Sequence, residues 1–209
     1  MVKVKICGLK RAEEMQLCAA LGVDWTGFIF YPPSPRYIPA KQALDLHHST
    51  RTAAEGGPQR VGLFVNPTFD EIKAVLAVVP LDILQLYGPI EQAVAIRQRF
   101  DVPVWLAKGI KGPEDLPSDK NNLDGYIIES PADPNDNQPG GLGKSFDWSL
   151  TRNWPAPAPW ILAGGLTPEN VSSAIMASGT SAVDVSSGVE ESRGVKSLKK
   201  IEKFVRNCR

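Results

Sequence analysis

The 209-residue chain is poor in histidine: His47 and His48 are its only two, and both fall on one helical stretch. Adjacent on a helix they point about 100° apart and away from strand ends. Side chains that titrate near neutral pH are thus almost missing, and proton transfer falls to cysteine, aspartate or glutamate. Cysteine is scarce too. Cys7, Cys18 and Cys208 have neither metal-ligand nor disulfide spacing, which suits a reducing compartment. Charge of one sign is not in excess, with Lys+Arg 23 against Asp+Glu 23, so nothing draws the chain to nucleic acid or an anionic membrane. No run of about 18 apolar residues occurs, and the start lacks the basic-then-apolar pattern of a secretion signal. The expected location is the cytoplasm.

What is present is a strand that delivers a thiol. Alternation in Val2-Lys3-Val4-Lys5-Ile6-Cys7 puts Lys3, Lys5 and Cys7 on one face, and Gly8 allows an immediate turn towards a helix near Lys10. Further strands are predicted at 24–30, 60–66, 82–88, 102–107, 124–129, 160–163 and 182–186. Helical stretches alternate with them: 11–21 ending at Gly22, one from Pro39, one opening at Pro67, and one after Gly88 through Arg97. Short helices are predicted within 111–122 and around Trp148, one more capped by Thr167 with Pro168 at its first position, and a Lys-rich one closes the chain from Ser197. Eight strands alternating with eight helical segments predict one domain over 1–209, a (β/α)8 TIM barrel. A doubly wound open sheet is the alternative. The proline-rich stretch 154–159 reads as a stiff loop on the non-catalytic side.

In a barrel the strand exits share one rim, and chemistry is sought there. Three glycine-bearing stretches leave strands six to eight: Gly140-Gly141-Leu142-Gly143, Ala163-Gly164-Gly165-Leu166 and Ser186-Ser187-Gly188. Glycine at such exits lets backbone N–H groups approach an anion, and the three together predict a phosphorylated small molecule held by Gly141, Gly143, Gly164, Gly165, Ser186 and Ser187. The long polar loop 130–145 reads as a binding loop. Rim carboxylates are Glu129 and Asp184. Cys7 lacks a histidine partner of the hydrolase kind, so proton transfer by its thiolate is the better chemical idea. Lys5 either lowers the Cys7 pKa or is a buried lysine paired with an interior carboxylate. Cys18 reads as core.

At this point the residues resemble one family, phosphoribosylanthranilate isomerase. The resemblance is carried by Lys5-Ile6-Cys7-Gly8, Gly27-Phe28-Ile29-Phe30-Tyr31 with Ser34-Pro35-Arg36-Tyr37, Val61-Gly62-Leu63-Phe64-Val65-Asn66, Gln85-Leu86, 140–148, 163–171 and 183–190, in order along nearly the whole chain. It implies a TIM barrel of tryptophan biosynthesis acting without metal or organic cofactor. The expected reaction converts N-(5-phosphoribosyl)anthranilate to 1-(2-carboxyphenylamino)-1-deoxyribulose 5-phosphate. By the resemblance, Cys7 is the general base at C2, the carboxyl at the tip of strand six is the acid that opens the ribose ring, Arg36 holds the anthranilate carboxylate and Asp184 lies beside the sugar. A monomer or homodimer with no nucleic-acid or membrane partner is expected. Two positions depart from the family pattern: Glu129 stands where Asp is usual, and Tyr87 where His is usual. Glu moves the carboxyl by one methylene, roughly 1.5 Å, so Asp133 or Asp136 of the long loop is an alternative acid. The departures keep two other readings open: a barrel isomerase for another sugar phosphate, and a non-catalytic phosphosugar-binding paralogue.

Overall fold

A computed structural model describes residues 1–131 and 145–209. Eight parallel strands close into a barrel in the order β1 to β8: Lys3–Cys7, Trp25–Ile29, Gln59–Val65, Ile83–Tyr87, Val104–Gly109, Gly125–Glu129, Trp160–Leu162 and Ala182–Val185. The closing contact is between β1 and β8, with Lys5 opposite Asp184. The open-sheet alternative is thereby excluded.

The helices are α1 (Ala12–Ala20), α2 (Ala40–His48), α3 (Phe69–Leu76), α4 (Ile90–Arg99), α5 (Val171–Ser178) and α6 (Leu198–Asn207). After β5 and β6, where short helices are predicted, the described residues hold single 3-10 turns, Pro113–Asp115 and Trp148–Thr151. The polar, proline-interrupted stretch after β5 has no apolar stripe with which to dock a full helix. A second correction concerns α5. The regular helix starts later than expected, at Val171; Thr167 Oγ1 accepts from Glu169 N–H at 3.2 Å and its carbonyl from Val171 N–H at 3.1 Å, but Asn170 Oδ1 accepts from Thr167 N–H at 2.7 Å and Asn170 Nδ2 donates to the Gly165 carbonyl at 2.8 Å, holding 165–170 as a turn. After β8 comes a hairpin absent from the sequence reading, β9 (Glu190–Ser192) and β10 (Val195–Lys196), turning at Gly194 with φ 81°.

Strand alternation separates two cores. Outward residues such as Val4, Ile6, Phe28, Leu84 and Leu106 pack under the helices. Inward residues Trp25, Val61, Ile83, Ile127, Ile161 and Ala182 fill the lower barrel. Cys7, Ile29 and Leu63 form a smaller cluster near the rim. Bulky side chains thus plug the lower barrel, leaving the strand exits as the accessible end. Three aspartates standing one residue before the even strands pin the lower ends of their neighbours. Asp24, Asp82 and Asp124 accept from the backbone N–H of Val4, Arg60 and Val104 at 2.8, 2.6 and 2.9 Å.

Candidate active site

Cys7 is the last residue of β1, buried in the upper cluster. Gly8 turns the chain with φ 77° and donates to the Gly27 carbonyl at 2.8 Å. The sulfur fits because β2 carries no side chain at Gly27: a Cβ there would lie 2.8 Å from Cys7 Sγ. Burial pushes the thiol above its ordinary value, while Lys5 and Lys196 oppose the shift. Cys18 and Cys208 are pushed to about 12 by burial. Cys18 is the core residue the sequence suggested, and Cys208 belongs to the same core. Of the three thiols only Cys7 lies inside the barrel.

Beneath Cys7, Lys5 has no solvent exposure and its Nζ sits 3.0 Å from Asp184 Oδ2. The two form an ion pair across the β1–β8 contact. Burial would lower the Lys5 pKa, but Asp184 and the nearby thiol hold it above the ordinary lysine value. Lys5 is therefore foremost the buried partner of an interior carboxylate, one of its two expected roles. Its pull on the thiol is real yet weaker than burial. Asp184 Oδ1 has no partner among the described residues and is a free acceptor at this level of the barrel.

Glu129 ends β6 and is 6 % exposed. Burial pushes its carboxyl up to about 8, with Asp184 reinforcing the shift and the Tyr87 hydroxyl and Lys5 opposing it. At neutral pH it is a carboxylic acid with a proton to give. The alternative acids Asp133 and Asp136 lie outside the described residues, as do Gly141 and Gly143.

Arg36, in the loop after β2, is folded under the rim with its Cδ 2.9 Å from the place of a Cβ on Gly8. Its Nε and Nη2 grip Glu190 Oε1 and Oε2 at 2.6 and 3.0 Å. The same carboxylate accepts from Lys196 Nζ at 2.9 Å and Gly194 N–H at 2.9 Å. Sequence reasoning passed over Glu190 and Lys196; the Glu-Ser-Arg-Gly-Val-Lys run around Gly194 was the available signal, a hairpin turn with glycine at the left-handed position. Burial alone would raise Glu190, but the Arg36 hydrogen bonds and Lys196 outweigh it and hold the carboxyl at about 2. A group held below its unfolded value of 4.5 stabilises fully above that pH and loses the contribution as pH falls towards 2. Glu190→Gln is accordingly expected to lose about 1.5–3 kcal/mol of stability at pH 7. Urea midpoints at pH 7 and pH 3 check this, because the gap from wild type should narrow at pH 3; an equal gap at both would refute the charge argument.

The exits of β7 and β8 lie together. Gly164 and Gly165 both adopt left-handed backbone, φ 82° and 66°, which side-chain-bearing residues resist. A Cβ on Gly188 would stand 1.8 Å from the Leu166 carbonyl oxygen, so the two loops touch. Ser186 Oγ donates to the Cys7 carbonyl at 3.1 Å and is itself held by Lys196 Nζ at 3.2 Å, tying this loop to the thiol strand. Ser187 opens the 3-10 turn Ser187–Val189. His47 and His48 sit on α2, remote from this rim, as expected. Among the described residues no cluster of His, Cys, Asp and Glu could hold a metal ion, and no helix is long and apolar enough to cross a membrane.

A closed eight-stranded barrel with a thiol and a buried carboxyl at its strand exits is a (β/α)8 barrel equipped for proton transfer. The family model described as N-(5'phosphoribosyl)anthranilate (PRA) isomerase matches residues 4–207. The chain belongs to that family. It is 45% identical over 205 residues to N-(5'-phosphoribosyl)anthranilate isomerase of Acidiphilium cryptum, covering 98% of this chain and 97% of the relative. Among solved structures it resembles monomers generated from the dimeric Thermotoga maritima phosphoribosylanthranilate isomerase, with TM-score 0.81 and 34% identity over 100% of this chain and 98% of the other. It also resembles a phosphoribosylanthranilate isomerase in complex with reduced 1-(o-carboxyphenylamino)-1-deoxyribulose 5-phosphate, with TM-score 0.82 and 34% identity over the same shares of the two chains.

Proposed function

We propose that this isomerase runs its reaction with Glu129 as general acid and Cys7 as general base. The observation that carries the reading is the meeting, inside one barrel end, of a thiol and a carboxyl that keeps its proton at neutral pH. Glu129 protonates the ribose ring oxygen of N-(5-phosphoribosyl)anthranilate as the C1–O bond breaks, and the amine nitrogen lone pair forms the Schiff base. The Cys7 thiolate then removes the C2 proton, leaving an enolamine. C1 takes up a proton and the C2 hydroxyl loses one, giving the 1-deoxyribulose product. Asp184 Oδ1, lacking a partner among the described residues, is placed to accept from a sugar hydroxyl.

Arg36 would hold the anthranilate carboxylate. With Nε and one Nη2 hydrogen already spent on Glu190, the contact would be made by the Nη1 end of the guanidinium. Gly164, Gly165, Ser186 and Ser187 would cradle the phosphate, joined by Gly141 and Gly143 of the preceding loop. The balanced net charge and buried, unpaired cysteines support a cytoplasmic enzyme with no nucleic-acid or membrane partner, the single closed barrel supports one domain, and the dimeric Thermotoga relative with its generated monomers supports a monomer or homodimer. The test is turnover by the purified chain, followed as loss of the substrate's anthranilate fluorescence. Steady conversion is expected; a folded chain that binds the product analogue yet converts nothing would overturn the reading.

A further inference from the structure

Tyr87 and Glu129, the two positions at which the resemblance implies other residues, both face the barrel interior. Tyr87 ends β4, directly before the Gly88 turn, and faces the barrel interior with Ile83 and Gln85. Its ring packs on the cluster of Cys7, Ile29 and Leu63. Between β4 and β6 runs β5, whose inward residues at this height are Ala107 and Gly109, paired with Ile127 and Glu129. A Cβ on Gly109 would stand 2.7 Å from Pro131 Cα, so the chain leaving β6 takes the place of that side chain, while Tyr87 and Glu129 both project inward from the strand ends that flank β5 and the phenol hydroxyl faces the carboxyl. Among the described residues the other charged groups facing Glu129 are Asp184 from β8 and Lys5 from β1, while the inward residues of β5 and β7 carry none. Facing Tyr87, besides Glu129, are Cys7 and Asp184.

We propose that Tyr87 is a positioning residue for the acid: its hydroxyl fixes the longer side chain of Glu129 at the ring oxygen of the substrate and then donates to the carboxylate left after proton transfer. Glu carries one more rotatable bond than Asp, so an unrestrained carboxyl would spread over more positions, and misplacement on that scale lowers rate steeply. The inference rests on the reading of Glu129 as the acid. A phenol also stays protonated where a histidine would titrate, and burial beside Glu129 raises Tyr87 well above its ordinary value, so the donor persists across the working pH range.

The test is kinetics of Y87F, E129D and Y87F/E129D with pH profiles. Y87F is expected to lower kcat about 10- to 100-fold with KM little changed. Its kcat/KM profile should break at higher pH than the wild-type break near 8, because the carboxylate has lost a donor. In the E129D background, where the shorter acid draws back from the hydroxyl, the same change should matter less than about 3-fold. Should Y87F not fold, Y87L removes the same hydroxyl and is read identically. An unmoved break, or equal losses in both backgrounds, overturns the proposal. E129Q separates the two readings: activity surviving in E129Q rejects Glu129 as the acid, whereas an inactive E129Q beside a wild-type-like Y87F rejects only the role of Tyr87.

Discussion

Glu129→Gln and Cys7→Ala are each expected to lower kcat by about 10²- to 10⁴-fold, the range that one general acid or base contributes. Both changes fit the existing space, since Gln is isosteric with Glu and Ala leaves only the volume of a sulfur. The loss should therefore appear in turnover while thermal unfolding stays close to wild type. The pH dependence follows from the two shifts. The working form has thiolate and carboxylic acid together. Burial holds the thiol above its ordinary 9.0 and Glu129 sits at about 8. With the base weaker to ionise than the acid, the working form is the less populated of the two singly protonated states. Its fraction grows with pH up to about 8, is level between the two pKa values, and falls once Glu129 has ionised without compensation by further thiolate. kcat/KM of the wild type should therefore climb through neutrality and flatten near 8. A profile that flattens in the ordinary carboxyl range near 4.5, or a Glu129→Gln enzyme within tenfold of wild type, would contradict the assignment.

Asp184→Ala is expected to cost about 3–5 kcal/mol of stability, the largest structural effect in the barrel. Lys5 has no exposure to water, and Asp184 at 3.0 Å is its neutralising partner. Removing the carboxylate leaves an ammonium enclosed by strands, next to a thiol that burial already discourages from ionising. Urea unfolding at pH 7 reads the loss directly. The double variant Lys5→Met with Asp184→Leu should recover most of it, because a pair of apolar side chains of similar size needs no solvation. Activity should not return with stability, since the acceptor Oδ1 and the cation beneath Cys7 are both gone. A single-variant loss below 1 kcal/mol would mean that water reaches Lys5 and that the pair is not sealed in the barrel.

The element order was readable because strand alternation and helix amphipathicity are local: Val4 and Ile6 outward against Lys5 and Cys7 inward follow from a period of two. The regular turns of α5 begin only at Val171, although Thr167 and Pro168 form a sound helix-opening pair on local rules and Thr167 Oγ1 accepts from Glu169 N–H. What competes is Asn170, whose side chain reaches back to Gly165 and holds the turn. The hairpin at 190–196 has strands of only three and two residues, too short to show an alternation in the sequence. Its importance lies in Glu190 meeting Arg36, a residue 154 positions away. The three aspartates before β2, β4 and β6 could have been noticed as a repeat, since each stands one residue ahead of a strand.

By itself the sequence determined the barrel, the glycine-bearing strand exits, and the residue types available for chemistry: one interior thiol, two rim carboxyls and no rim histidine. Those follow from periodicity and chemical inventory, which are properties of neighbours along the chain. Only the tertiary structure decided the state of those groups. Lys5 belongs first to Asp184, Arg36 is gripped by Glu190, and Glu129 keeps its proton to about 8 beside the hydroxyl of Tyr87. The reason is physical: pairing and desolvation depend on which strands stand across the barrel from one another, and closure of the sheet sets that.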